Sequence, residues 1–255
     1  MLFDSIAYGP IHSRRLGTSL GMEIMPLTNK LCTFDCVYCE CGWNQPVHKP
    51  VLPTREEIRE ALEAKLQVLL QENVSLDVIT FSGNGEPTLH PEFLGIIQDT
   101  CALRDRYCPS AKVSVLSNST QLGRAEVVEA LRLCDNRILK LDAATDTMMR
   151  RIDQPVSKQL TVATLMQWLK QFNGDFTLQT CFLRGTHNGQ ILDNTAPEEL
   201  SAWYNAVEEL RPKQVMIYVI DRKTPEENLE KISREQMESI AAPLIAKGFN
   251  VSISA

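Results

Sequence analysis

The chain has 255 residues, 44% of them apolar and 23% charged, a composition typical of a globular protein with a buried core. No apolar run approaches the roughly 20 residues that span a bilayer, and the opening MLFDSIAYGP lacks the basic and apolar regions of a secretory signal. We therefore expect a cytoplasmic protein without a membrane partner, and the net charge of -6 excludes a general attraction to nucleic acid.

Strand and helix patterns alternate along the chain. Six apolar segments have the length and composition of strands. Amphipathic helical patterns lie between them, the first opening with the capping-box pattern of Thr54 and Glu57. The predicted strands are Ser19–Met25, Asp77–Phe81, Lys112–Leu116, Arg137–Leu141, Phe176–Phe182 and Gln214–Val219, and the predicted helices are 54–69, 91–107, Arg124–Cys134, Thr161–Phe172, Pro197–Leu210 and Arg234–Lys247.

This alternation predicts an α/β fold, a partial (β/α)6 TIM-like barrel in one domain covering residues 1–255. Its strands are parallel and joined by right-handed crossovers. Ligand sites of such folds gather at the carboxyl ends of the strands. Unusual residues follow the first four strands: the cysteines, then Ser82–Gly85, then Ser117 with Asn118, then Asp142.

The cysteines are the most informative residue type. Of eight, four lie within ten residues, in a loop of about residues 30–42. In a reducing cytosol such clustering indicates metal ligands or reactive thiols. Cys32, Cys36 and Cys39 form C-x3-C-x2-C. Three thiolates can hold three irons of a [4Fe–4S] cubane and leave the fourth iron open for a ligand.

Structural zinc is the competing interpretation of this loop. Zinc usually takes four Cys or His ligands in paired clusters. No second C-x2-C or H-x3-H pair follows, and Cys41 sits only two residues after Cys39, a poor spacing for a closed tetrahedral site. The sequence therefore favours the iron–sulfur cluster and leaves the role of Cys41 open.

The C-x3-C-x2-C loop, with Tyr38 just before the last cysteine, resembles the radical S-adenosylmethionine (SAM) superfamily, and the similarity covers about residues 8–247. The resemblance implies a barrel of the radical SAM type, with Cys32, Cys36 and Cys39 as cluster ligands and SAM bound at the open iron. One electron from the cluster then cleaves the sulfonium to methionine and a 5'-deoxyadenosyl radical, which abstracts hydrogen from a substrate.

The resemblance also implies which residues contact SAM. Ser82–Pro87 stands where the family has a Gly-Gly-Glu-Pro motif, whose backbone and Glu contact the methionyl ammonium. For Lys140 and Asp142, an inward salt bridge is an equally weighted alternative. The predicted SAM contacts are Tyr38, Gly83, Asn84, Gly85, Glu86, Ser117, Asn118, Lys140, Asp142 and Gln179.

Within the superfamily, the chain resembles the wybutosine-synthesis branch, the tRNA 4-demethylwyosine synthase-like Fe–S oxidoreductases. Those relatives carry a second set of cluster cysteines near the amino terminus. This chain has no cysteine before Cys32, so the second cluster and the wybutosine reaction are not carried over. Arg14 and Arg15 could bind an anionic group of the substrate, and equally they could be a solvated pair or pair with a carboxylate. The segments that carry this resemblance are Tyr8–Gly17, Lys140–Asp142, Arg150–Pro155 and Asp221–Arg222.

We expect a radical SAM enzyme that acts on a small molecule or on a peptide or protein. A tRNA-modifying enzyme is the alternative, disfavoured by the net charge of -6 and by the lack of an appended RNA-binding segment. A non-catalytic iron–sulfur or zinc protein is less favoured, because a closed electron-transfer cluster needs four protein ligands and the motif supplies three. The chemistry implies an electron donor such as flavodoxin or ferredoxin.

Overall fold

The computed structural model describes residues 2–13, 16–46 and 49–255. Arg14 and Arg15 lie outside these residues. The chain divides into two compact units, which are described separately, and the single domain stays a prediction. The first unit is Met1–Cys32, Asn44–Ser117 and Gln121–Arg137, and the second is Thr33–Trp43, Asn118–Thr120 and Ile138–Ala255.

The first unit is built on four strands with helices packed beside them. Strand β1 is antiparallel to β2, whereas β2, β3 and β4 are parallel and neighbours in that order. Helix α2 packs against both α1 and α3. The elements are β1 (Ala7–Ser13), β2 (Gly17–Met22), α1 (Arg55–Gln71), β3 (Val78–Phe81), α2 (Phe93–Tyr107), β4 (Lys112–Ser117) and α3 (Ala125–Leu133).

Helix α1 shows how the sequence specifies these elements. Thr54 and Glu57 cap each other's backbone in the predicted capping box. Residues Ile58, Leu62 and Leu66 recur at helical spacing and are almost completely buried. The helix therefore begins where the capping pattern predicts and turns one apolar face to the core.

The second unit contains the remaining strands. Strands β5, β6, β8 and β10 are parallel neighbours in that order, and β7 and β9 pair antiparallel with the far part of the long strand β6. The elements are β5 (Asn136–Lys140), α4 (Asp146–Ile152), α5 (Val162–Leu169), β6 (Thr177–His187), β7 (Gln190–Asp193), α6 (Pro197–Leu210), β8 (Gln214–Val219), β9 (Leu229–Lys231), α7 (Arg234–Ala246) and β10 (Val251–Ser254).

The predicted α/β class is confirmed. Each of the six predicted strands is present, as β2, β3, β4, β5, β6 and β8, and each predicted helix region contains a helix. The strands β1, β7, β9 and β10 and the helix α4 are additions to the prediction. In the part of the chain that the structure describes, no helix combines the length and apolar character needed to cross a membrane.

Candidate functional site

The glycine loop, residues Ser82–Glu86, follows β3 in the first unit and is fixed to the residue before the first cluster cysteine. Leu31 forms a parallel β-bridge with Gly85. The Leu31 N–H donates to the Asn84 carbonyl at 2.8 Å, and the Glu86 N–H donates to the Leu31 carbonyl at 3.0 Å. Cys32 is therefore anchored one residue from this loop by backbone pairing.

Two positions of the glycine loop require glycine. Gly83 has φ +152° and Gly85 has φ +146°. A Cβ at Gly85 would lie 1.8 Å from the Leu31 carbonyl oxygen, and one at Gly83 would lie 1.9 Å from a carboxylate oxygen of Glu23. A side chain at either position would thus displace the backbone or the buried carboxylate beside it.

The carboxylate of Glu86 gathers hydroxyl groups around it. Its Oε1 accepts from the Thr88 N–H at 3.1 Å, from the Thr88 hydroxyl at 2.5 Å and from the Ser117 hydroxyl at 2.8 Å. Ser117 ends β4, and Glu86 follows β3, its parallel neighbour. The structure thus brings together two of the predicted SAM contacts at the carboxyl ends of adjacent strands.

The Asn84 side chain makes hydrogen bonds within the protein that its motif did not predict. Its side chain is fully buried, accepting from the Phe3 N–H and donating to the carbonyls of Phe3 and Pro26. Its N–H donates to Glu23 at 2.5 Å. The side-chain amide therefore holds the loop to the amino-terminal segment, and a SAM contact by Asn84 stays a prediction.

Glu23 is a buried carboxylate that the sequence reading did not single out. It lies just after β2, is 1% exposed, and accepts from the N–H groups of Asn84 and Met25. Burial raises the pKa of Glu23 to about 7, although both hydrogen bonds act in the opposite direction. The backbone of the glycine loop thus donates to a buried carboxyl group whose pKa is about 7.

In the second unit, the segment Thr33–Trp43, which holds Cys36 and Cys39 of the cysteine loop, lies on the end of helix α4. The Asp35 N–H donates to the Asp153 carbonyl at 2.9 Å, and the Val37 N–H donates to the Ile152 carbonyl at 3.0 Å. The sequence Arg150–Pro155, noted for its resemblance to one branch of the family, includes both acceptors. These bonds fix the backbone on either side of Cys36.

Around Cys36 lies a buried group of charged side chains. The Lys140 ammonium is 2.9 Å from the Cys36 Sγ, 3.0 Å from Asp142 and 2.7 Å from Asp153. The side chains of Asp142 and Asp153 are 0% and 4% exposed. The inward salt bridge between Lys140 and Asp142, left open as an alternative, is present.

The charges of this group stabilise one another. Burial alone would lower the pKa of the Lys140 ammonium, but the carboxylates of Asp142 and Asp153 outweigh it and raise that pKa well above its ordinary value. Burial also raises the pKa of Asp153 to about 6, against the opposing effect of Lys140. Lys140 therefore carries a fixed positive charge beside a predicted cluster ligand.

Tyr38 joins the same group through its hydroxyl, which donates to Asp142. Burial, with the Asp142 carboxylate as the next cause, raises the pKa of Tyr38 well above its ordinary value. The other Asp142 oxygen accepts from the Cys181 N–H at 2.8 Å. Both carboxylate oxygens of Asp142 thus have partners in the protein, and the hydrogen bond to Asp142 positions the Tyr38 hydroxyl.

The two other predicted SAM contacts of this unit lie close to the same strands. Asn118 donates from Nδ2 to the Thr33 hydroxyl at 2.9 Å, at the start of the cysteine loop. Gln179 pairs in register with Lys140 on β5, so both side chains project from the same face of the sheet. Gln179 donates to the sulfur of Met216 at 3.7 Å.

The donor set fits an iron–sulfur cluster chemically. Cys32, Cys36 and Cys39 are not in disulfides, and thiolates are the ligands such clusters take. Among the described residues, no three His, Cys, Asp or Glu side chains are grouped to hold a single metal ion. The three residues thus have the chemistry of cluster ligands, and their assignment to a cluster stays a prediction.

Sequence reasoning missed two residues of these sites, Glu23 and Asp153. Asp153 had a signal, because it lies in the Arg150–Pro155 segment that resembles relatives, although no role followed from it. Glu23 had only a weak one, a carboxylate at the end of an apolar strand.

Each unit has parallel strands, and polar and cysteine-bearing loops follow the strands β2 and β3, which is the arrangement of an α/β protein with its site residues after the strands. The chain belongs to the radical SAM superfamily: residues 27–193 match the model of that superfamily. This match contains both loops and every predicted site residue.

The chain is also similar to two proteins over most of its length. "GTPase Obg" of Brachyspira hyodysenteriae is 29% identical over 234 residues, which are 91% of this chain and 32% of that protein. A "UPF0026 protein" of Helicobacter pylori is 28% identical over 185 residues, which are 72% of this chain and 58% of that protein. The chain thus spans about a third of the first relative and somewhat over half of the second.

Two solved structures have the same fold. SuiB of Streptococcus suis bound to S-adenosylmethionine gives a TM-score of 0.64 at 14% identity, covering 89% of this chain and 49% of SuiB. TYW1 with a lysine–pyruvate adduct bound gives 0.63 at 14% identity, covering 91% of this chain and 74% of TYW1. These likenesses show the radical SAM fold, which the sequence predicted.

Proposed function

We propose that this protein binds a [4Fe–4S] cluster through Cys32, Cys36 and Cys39 and cleaves SAM to start a radical reaction. The observation that carries the proposal is the superfamily match over residues 27–193, which contains the C-x3-C-x2-C loop. When bound, the cluster supplies the electron that splits the SAM sulfonium into methionine and a 5'-deoxyadenosyl radical. That radical would abstract hydrogen from the substrate.

The glycine loop is the part of the chain we assign to the methionyl group of SAM. The backbone at Gly83 and Gly85 has positive φ and no Cβ, which allows a ligand to approach closely. Glu86 would accept from the methionyl ammonium, and the Ser117 hydroxyl at 2.8 Å orients that carboxylate. These residues bind and orient the cofactor.

The second unit supplies the remaining proposed contacts. Tyr38, Asn118 and Gln179 present polar groups near the cysteine loop or on the face of β5 and β6 that carries Lys140. We propose that they contact the ribose and adenine of SAM. Asp142 acts chiefly by holding Tyr38 and Lys140 in place, because both of its oxygens accept hydrogen bonds from the protein.

For the substrate we favour a small molecule or a peptide or protein side chain. RNA is the second candidate, because segments such as Arg150–Pro155 resemble the tRNA-modifying wybutosine-synthesis branch of the superfamily. The net charge of -6 favours the first class. The electron would come from a donor such as flavodoxin or ferredoxin.

We also propose the cytoplasm as the compartment. A cluster held by thiolates needs reduced cysteines, and none of the eight cysteines is in a disulfide.

Cluster assembly tests the ligand set. After anaerobic reconstitution, we expect Cys32→Ala, Cys36→Ala and Cys39→Ala each to lose most of the iron and the visible absorbance of the wild-type protein. Cys41→Ser is the matched control from the same loop and should retain both. Full cubane absorbance in Cys36→Ala would refute this ligand assignment.

A further inference from the structure

The cysteine loop presents every second residue to one buried ammonium group. The Lys140 Nζ lies 2.9 Å from the Cys36 Sγ, 5.2 Å from the Phe34 ring centroid and 4.9 Å from the Tyr38 ring centroid. The three residues lie before and within the turn that the Cys39 N–H closes onto the Cys36 carbonyl at 3.0 Å. Lys140 is therefore contacted by three residues of the segment that carries the predicted ligands Cys36 and Cys39.

Two carboxylates hold this ammonium in position. Asp142 and Asp153 lie 3.0 Å and 2.7 Å from Nζ, and the side chain of Lys140 is only 11% exposed. Asp142 is itself fixed by the Cys181 N–H and by the Tyr38 hydroxyl. With both acids engaged from the protein side, the lysine cannot leave Cys36 without uncovering two buried negative charges.

We propose that Lys140 is a positioning residue that donates a hydrogen bond to the sulfur of the cluster ligand Cys36 and thereby makes the cluster easier to reduce. The inference rests on the proposed function, because it takes Cys36 to be a cluster ligand. Hydrogen bonds to cluster sulfurs and the net charge nearby are main determinants of cluster potentials. A positive charge favours the reduced cluster, which carries one more electron, and burial limits screening of that charge.

Asp153 has the opposite effect in this arrangement. Its Oδ1 lies 3.7 Å from the Cys36 Sγ and 2.7 Å from the Lys140 Nζ. It holds the ammonium in place and also brings a negative charge to the same sulfur. Removing the charge of Lys140 and removing that of Asp153 should therefore move the cluster potential in opposite directions.

The test is a redox titration of the reconstituted protein, followed by the electron paramagnetic resonance signal of the reduced cluster. We expect Lys140→Met to assemble the cluster. Its midpoint potential should become more negative by at least about 59 mV, which corresponds to a tenfold change in the equilibrium constant for one-electron reduction. Asp153→Asn should shift it positive. Lys213→Met removes an exposed, salt-bridged lysine of the same unit and should leave it unchanged.

The titration also covers variants that fold poorly. Lys140→Met leaves two buried carboxylates facing each other, so the double variant Lys140→Met with Asp153→Asn is measured as well. It removes one charge of each sign and should still lie negative of Asp153→Asn alone. Wild-type potentials in Asp153→Asn and in the double variant would overturn the proposal, and a wild-type protein that forms no cubane would instead refute the proposed function.

Discussion

Glu23 lies behind the glycine loop, and burial raises its pKa from 4.5 to about 7. Between these pH values the folded protein keeps the proton and the unfolded chain loses it. The contribution of this group to stability is therefore full at low pH and is lost as the pH rises to about 7. The pKa shift corresponds to a decrease in the free energy of unfolding on the order of 3 kcal/mol.

The comparison with Glu23→Gln isolates this effect, because glutamine does not titrate. We expect the free energy of unfolding of the wild-type protein, relative to the variant, to be higher at pH 5 than at pH 8. Urea titrations of the cluster-free protein at both pH values measure it. A difference between the two proteins that is the same at both pH values would show that Glu23 does not titrate in this range.

Gly85 is the single position where a methyl group should do most damage to the glycine loop. A Cβ there meets the Leu31 carbonyl oxygen at 1.8 Å, so Gly85→Ala must break the bridge to the residue before Cys32. We expect SAM affinity, measured by calorimetry on the reconstituted protein, to fall about tenfold or more, ~1.4 kcal/mol.

Gly248→Ala is the matched control for this substitution. Gly248 also has positive φ, +85°, but nothing lies within 4 Å of its Cβ position. It should lose about 1–3 kcal/mol of stability from backbone strain and bind SAM as the wild-type protein does. Equal loss of SAM affinity in both variants would mean that strain alone, without the clash at Leu31, explains the effect.

At the residue scale, the sequence indicates which residues are chemically distinctive, but it does not indicate their hydrogen-bond partners. Residues of strong chemical character at a fixed spacing, such as Cys36 and Glu86, stood out because few other tasks require them. Asn84 was singled out for its backbone, yet its buried amide is occupied by Phe3 and Pro26. Glu23 was missed, because a buried carboxylate becomes recognisable only when the N–H groups that it accepts from are known.

At the scale of the element, the end of helix α4 is the support of the cysteine loop. Ile152 is completely buried and packs with Val37 in one apolar cluster, while its carbonyl accepts from the Val37 N–H. We expect Ile152→Ala to cost about 2–5 kcal/mol of stability and to lower the iron bound per chain after reconstitution, because the loop loses its packing.

The control is Ile240→Ala on helix α7 of the same unit, where Ile240 is also buried. It should cost a similar free energy of unfolding but leave the iron content unchanged. Iron loss that simply follows stability in both variants would show that α4 has no special relation to the cysteine loop.

The predicted strands are those with long apolar patterns. The strands that the sequence did not predict are those that exist only because they pair with a neighbouring strand. The six predicted strands are apolar runs whose periodicity is visible in one dimension. Strand β1 contains Gly9 and Pro10 and is a strand only through its antiparallel pairing with β2. Strands β7 and β9 have three or four residues and depend on β6 for their partners, which no local pattern indicates.

At the scale of the whole molecule, net charge separates the substrate classes. At -6 the chain should bind bulk tRNA weakly and without the strong salt dependence of phosphate neutralisation. Electrophoretic shifts with tRNA at about 50 mM and about 200 mM salt measure this. Tight binding at the lower concentration that disappears at the higher one would favour an RNA substrate.

The proposed function depends on SAM cleavage by this chain. The direct measurement is anaerobic: the reconstituted protein is incubated with SAM and dithionite, and 5'-deoxyadenosine is quantified by mass spectrometry. We predict that the wild-type protein and Cys41→Ser form 5'-deoxyadenosine and that Cys36→Ala does not. The contradicting result would be a wild-type protein that forms no 5'-deoxyadenosine although its cubane is intact and reduced, SAM is bound and candidate substrates of each class are present.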